Sequence, residues 1–171
     1  MNNNILKYES DVWKTADLLR GSGIKESDFP KYMMPFFALL MVESRLIRAA
    51  EKLEEDISRD NIEDFVEMFK LEGLGYNTYV VKKNKTLKDI CKNDKTFDTD
   101  FRAYLKAFDT ETKSLLGVDK GSQEEKFLDI SGVSALLAKK RVLFDYVKTW
   151  SEIDLTPFNN SEITKIGRAH V

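Results

Sequence analysis

The sequence predicts an all-α protein, a helical bundle of about five to seven helices with at most one short β-hairpin near residues 76–83. Three observations carry that expectation. Apolar residues recur at helical spacing through most of the chain. Capping signatures fall at the ends of those stretches. A β-rich run bounded by turn residues occurs at Tyr79-Val80-Val81, between glycines and a lysine-rich stretch.

The elements follow in order. Val12, Trp13, Ala16, Leu18 and Leu19 form an apolar stripe ending at Arg20-Gly21, the pattern of a helix with a basic last turn and glycine beyond it. Phe29-Pro30-Lys31-Tyr32 opens a second helix, because proline suits a first turn. Its apolar positions run through 36, 39, 40, 46, 47, 50, 53 and 57, and Pro35 marks a kink or the true start. The charged tail EKLEEDISRD is expected outside the core. Ile62, Phe65, Val66 and Phe69 stripe a third helix after a Ser58 or Asp60 cap. Thr86-Leu87-Lys88-Asp89 reads as a capping box opening a short helix. Phe97, Phe101, Tyr104, Leu105 and Phe108 stripe the next, and Ser122 with Glu125 offers another box. One last helix is expected to carry Leu136, Leu137, Lys139, Lys140, Arg141, Leu143, Phe144, Val147 and Trp150, and to end before Pro157. Trp13, Phe36, Phe65, Phe101, Phe144 and Trp150 are expected to be core.

Composition bounds the function. With 171 residues and 42% hydrophobic content the chain can bury one real core. A net charge of -2 means that any nucleic-acid contact must come from a local patch. The single cysteine, Cys91, supports neither a disulfide framework nor a thiolate metal site and fits a reducing compartment. The longest apolar run, from Met33 to Val42, is about half of a bilayer span. No signal-peptide pattern opens the chain, so the expected location is cytoplasmic, with no membrane partner.

Little catalytic chemistry is visible. Gly21-Ser22-Gly23 follows a helix, whereas a dinucleotide fingerprint follows a strand and carries a third glycine. Gly73-Leu74-Gly75 has the same weak status. The one histidine, His170, lies at the chain's end, where a triad or metal site would be poorly held. The carboxylates, such as Glu51, Glu54, Glu55 and Asp56, sit on solvated faces, and Cys91 reads as an inert thiol. No catalytic, cofactor-binding or metal-ligating residue is expected. Two basic clusters remain. Lys82, Lys83 and Lys85, with Lys88, lie beside Tyr76 and Tyr79; Lys139, Lys140 and Arg141 form the second. Each is open to two readings, a solvated face or a surface that tracks a phosphate backbone.

One set of residues carries a resemblance. Trp13, Ala16-Asp17, Leu19-Arg20-Gly21, then Tyr32, an apolar run and Glu43-Ser44-Arg45-Leu46 resemble the N-terminal helical domain of the modification (M) subunit of type I restriction-modification systems. Leu87-Lys88-Asp89-Ile90, Phe101, Tyr104-Leu105, Phe108, Phe144 and Ile153-Asp154-Leu155-Thr156-Pro157 fit more softly. The similarity runs to about Lys165, and the charged stretch from Glu51 to Asp60 departs from it. The resemblance implies a parent N6-adenine DNA methyltransferase that uses S-adenosylmethionine. It implies as partners double-stranded DNA, the specificity and restriction subunits, and a second M subunit. In such a protein this domain precedes the catalytic one and helps to clamp DNA. No Asn-Pro-Pro motif occurs, since the three prolines are never adjacent, so this chain is expected to be inactive alone and to hold no cofactor. Residues 166–171, IGRAHV, match one frame of a common sequencing adapter and are expected to be read-through, leaving 1–165 as the domain. The alternative is a stand-alone helical interaction or regulatory module without catalysis.

Overall fold

A computed structural model describes residues 2–119, 127–153 and 155, with side chains from Tyr8 onward. The Ser122–Glu125 box, Pro157 and residues 166–171 lie outside the described residues. The architecture is all-α. Eight α-helices run through the described residues: α1 (Asn2–Gly21), α2 (Phe29–Glu54), α3 (Ile62–Leu71), α4 (Leu87–Ile90), α5 (Phe97–Lys106), α6 (Thr110–Leu116), α7 (Ile130–Lys139) and α8 (Leu143–Ser151). A 3₁₀ turn at Glu26–Asp28 precedes α2, and a one-turn π-helix occupies Thr78–Lys82. No helix of the described residues is long and apolar enough to cross a membrane.

The 26-residue α2 is the spine, about 39 Å long at 1.5 Å per residue. Pro30 sits in its first turn, where no backbone N–H is needed, and the helix continues through Pro35. The start is therefore Phe29, not Pro35. α2 packs against α1, α3, α6, α7, α8 and the π turn. Its inner face buries Phe36, Leu39, Leu40, Leu46 and Ala50. Phe36 stacks on Phe101 at 6.4 Å and meets Tyr146 edge-on at 5.1 Å, so one ring ties α2, α5 and α8 together. Burial of such a ring contributes on the order of 2–3 kcal/mol.

α1 ends in a Schellman cap. The Ile24 N–H donates to the Leu19 carbonyl and the Gly23 N–H to the Arg20 carbonyl, each at 3.1 Å, with Gly23 at φ +80°. Leu19 and Ile24 are both buried, which supplies the motif's apolar contact. Gly-Ser-Gly thus turns the chain into α2.

Four expectations need correction. The hairpin near 76–83 is the π turn, with a lone antiparallel bridge between Asn77 and Phe108. Val80 and Val81 are buried there, and the buried Asn77 side chain accepts from the N–H groups of Tyr79 and Val80, which bends the β-rich run into a turn. The single last helix is two, α7 and α8, broken at Arg141. α3 is preceded by Asn61, while Ser58 accepts from the Asp60 N–H in the loop. Trp13 is not core: it is 52% exposed, and Phe144 is only half-buried. Trp13 lies one residue beyond Val12, and the helix turns it off the inward stripe of Val12, Ala16 and Leu19.

Candidate nucleic-acid interface

The π turn presents the first basic cluster. Its backbone closes tightly: the Lys83 N–H donates to the Thr78 carbonyl at 3.0 Å, and the Lys85 N–H to the Tyr79 carbonyl at 2.8 Å. Asn84, at φ +54°, turns the chain between them, a conformation that asparagine tolerates better than most residues. The guanidinium of Arg59 holds the turn from the α2–α3 loop by donating to the Val81 carbonyl at 3.2 Å, and it covers the Phe65 ring at 5.0 Å. Lys82, Lys83 and Lys85 are exposed and make no ion pair with any described residue. The Lys83 ammonium lies 4.7 Å over the Tyr79 ring. Lys88 departs from this group: it lies on α4 and lines a cleft with Cys91, Lys92, Phe144 and Lys148.

The second cluster is a helix end. Lys139 closes α7, Lys140 is its cap and Arg141 holds φ +59°. The Arg141 N–H donates to the Ala138 carbonyl at 3.0 Å and the Val142 N–H to the Leu137 carbonyl at 3.1 Å. This is the α1 cap again, with arginine where glycine is usual. The Lys140 ammonium donates to the Ser22 carbonyl at 3.2 Å, stapling this turn to the end of α1. Cations are at home beside two helix C-termini, whose orphan carbonyls are partly negative.

The signature residues other than Trp13 pack or brace α1 and the start of α2. Ala16 and Leu19 are fully buried. Asp17 pairs with Arg20 at 2.7 Å, and Arg20 reaches on to Glu26 at 3.1 Å and over Phe29 at 5.5 Å, bracing α1 against the 3₁₀ turn and the start of α2. Gly21 is the last residue of α1. Tyr32 is buried, and its carbonyl accepts from the Tyr146 hydroxyl at 2.8 Å.

One carboxylate escaped the sequence reading. Glu43 is buried on α2, accepting from the Leu87 N–H at 2.7 Å and from the Tyr104 hydroxyl. It bolts α2 to the first turn of α4 and to α5. Burial, then the Glu43 charge, drive the Tyr104 hydroxyl well above its ordinary value. The available signal was its spacing: Glu43 falls three and four residues from Leu40, Leu39 and Leu46 on the buried face. Burial also lifts the Cys91 thiol to about 11, so it is not a nucleophile at neutral pH. Among the described residues no group of three or more His, Cys, Asp or Glu is placed to hold a metal ion. An apolar groove of about 300 Å³ is lined by Met33, Met34, Phe37, Met41, Leu115 and Phe127, the last 94% exposed.

The fold and its surface define an all-α helical domain, with a buried carboxylate joining three helices and cations displayed on a braced turn. A family model described as the HsdM N-terminal domain matches residues 8–144. The chain belongs to that family, the N-terminal domain of the type I restriction-modification M subunit. Searches of curated proteins and of solved structures return no match.

Proposed function

We propose that this chain is the DNA-clamping and subunit-contacting domain of an adenine-N6 DNA methyltransferase subunit, acting in the cytoplasm. The observation that carries the reading is Lys82, Lys83 and Lys85: three exposed lysines without an ion pair to any described residue, on a turn braced by Arg59 and Asn77. Their job is sequence-independent attraction of phosphates in double-stranded DNA. Base readout belongs to the specificity subunit. The restriction subunit and a second M subunit complete the proposed partners, and the methionine-lined groove suits a protein surface, since methionine adapts to irregular apolar partners.

S-adenosylmethionine belongs to the full-length parent. Gly23 and Gly73 take left-handed backbone just beyond the ends of helices, where they turn the chain. The frame is proposed to continue past Lys165 into a catalytic domain, with IGRAHV as read-through; a long sequencing read across the 3′ end decides it. For the DNA reading, fluorescence anisotropy with a 20-base-pair duplex is expected to show micromolar binding at low salt that fades steeply as salt rises. No binding at low salt overturns it.

A further inference from the structure

We infer that Arg45, Lys70 and Lys83 form a single track of cations for one phosphate backbone of duplex DNA; the inference rests on the DNA-clamping reading above. The three come from different elements, α2, the last turn of α3 and the end of the π turn. Each is seated on the same stretch, residues 74–79, in chain order. The Arg45 guanidinium donates to the Leu74 carbonyl at 3.0 Å. The Lys70 ammonium lies 4.5 Å over the Tyr76 ring, and the Lys83 ammonium 4.7 Å over the Tyr79 ring. All three are exposed, and none makes an ion pair with a described residue. Glu72 and Asp56 share a groove with Arg45, and Lys52 stands beside them.

The seat is rigid. The Tyr76 N–H donates to the Asp109 carboxylate at 3.0 Å, and the Asp109 N–H returns a bond to the Tyr76 carbonyl at 3.0 Å. Asn77 donates from Nδ2 to the Tyr104 carbonyl at 3.1 Å, and the Thr78 N–H donates to the Ala107 carbonyl at 3.4 Å. Flexible cations normally lose rotamer freedom when they meet a phosphate; these are already placed. The length also suits a strand. Residues 74–79 span at most about 18 Å at about 3.5 Å per residue. A DNA strand offers one phosphate per about 3.4 Å of axis, and Thr78 and Tyr79 already lie in the π-helix, so the track faces at most about five phosphates. Tyr76 and Tyr79 each give a ring face to an ammonium, so they serve as seats for cations rather than as platforms for stacked bases, which favours duplex over single-stranded DNA.

The test is anisotropy on the full chain with a 20-base-pair duplex, across a salt series, with circular dichroism confirming each fold. Arg45→Gln and Lys70→Gln are each expected to flatten the plot of log Kd against log salt by about one unit. Tyr76→Leu, which keeps the charge and removes the seat, is expected to weaken binding about threefold. Lys14→Gln, on α1, is expected to change nothing. If Arg45→Gln and Lys70→Gln leave the slope intact while neutralising Lys82, Lys83 and Lys85 lowers it, the track is overturned and the clamping reading stands. Equal flattening by Lys14→Gln, or tighter binding of a single-stranded 20-mer, overturns the track as well. No duplex binding by the unmodified chain removes both.

Discussion

Lys82, Lys83 and Lys85 leave a one-turn π-helix whose backbone closes on Thr78 and Tyr79; Lys139, Lys140 and Arg141 finish an α-helix. Both groups reach solvent, and both look alike in a charge plot. Their settings differ. The π turn is braced by Arg59 from the α2–α3 loop and by its own N-cap, Asn77, and its lysines are exposed, Lys83 lying over the Tyr79 ring. The α7 end spends Lys140 on the Ser22 carbonyl and lies at the negative ends of two helices. Charge density alone does not separate the two clusters; the structural setting of each does. On the DNA-clamping proposal, contact falls to the first cluster and a stapling role to the second.

The largest effect separates them directly. Replacing Lys82, Lys83 and Lys85 together by Gln is expected to weaken duplex binding more than about tenfold near 100 mM salt, since each lost phosphate contact lowers the salt slope by about 0.9. Replacing Lys139, Lys140 and Arg141 by Gln is expected to change it less than about twofold. Anisotropy reads both, and equal losses would erase the distinction drawn here.

Next is the brace. Asn77 is fully buried, donates to the Tyr104 carbonyl and accepts from two backbone N–H groups. Asn77→Ala leaves those groups orphaned, at about 1–3 kcal/mol each when water cannot replace them. A loss of about 2–3 kcal/mol in urea unfolding is expected, with weaker DNA binding. A variant that keeps its stability but loses binding would show that the brace shapes the turn without stabilising the fold.

The helix class was legible because burial follows spacing: Phe97, Phe101, Tyr104 and Leu105 repeat at three and four residues, and all are buried. Both the Gly21-Ser22-Gly23 cap and the Thr86–Asp89 box were legible too, the latter closed by a 2.9 Å bond from the Thr86 N–H to the Asp89 carboxylate. The misses share one cause, local preference overruled by distant partners. Tyr79-Val80-Val81 reads as a strand, yet Asn77 bends it and the core swallows both valines. The break at Arg141 has no glycine or proline to announce it. Glu43 looks like one more surface acid until Leu87 and Tyr104 arrive from 44 and 61 residues away. The cation track was illegible for the same reason, since Arg45 and Lys70 reach residues 74–79 only through folding.

A smaller effect sharpens the second cluster. Arginine in left-handed backbone costs about 1–2 kcal/mol, and glycine, which adopts it freely, returns part of this as unfolded-state entropy. Arg141→Gly is expected to stabilise the fold by about 1 kcal/mol in thermal or urea unfolding, with duplex binding unchanged. If it stabilises and binding falls severalfold, the strain was kept for a DNA contact, and the second cluster joins the first.

The smallest effect concerns the seat beneath the first cluster. Burial works to raise the Asp109 carboxyl, but bonds from the Thr112 side chain and from the Tyr76 and Thr112 N–H groups outweigh it and hold it below its ordinary 3.8. The charged form therefore stabilises the fold. That contribution is fully present above about pH 5, and it is lost as pH falls through 3.8 towards the folded value. Asp109 is partly exposed, so solvent screening keeps the whole effect below about 1 kcal/mol. Amide exchange localises it. Protection of the Tyr76 amide, which donates to Asp109, is expected to drop between pH 5 and pH 3 relative to that of the Val142 amide, which is bonded to the Leu137 carbonyl. In Asp109→Asn that relative drop is expected to vanish. A drop that persists in the variant would mean that another group holds the seat, and that the two turns differ for a reason other than this carboxylate.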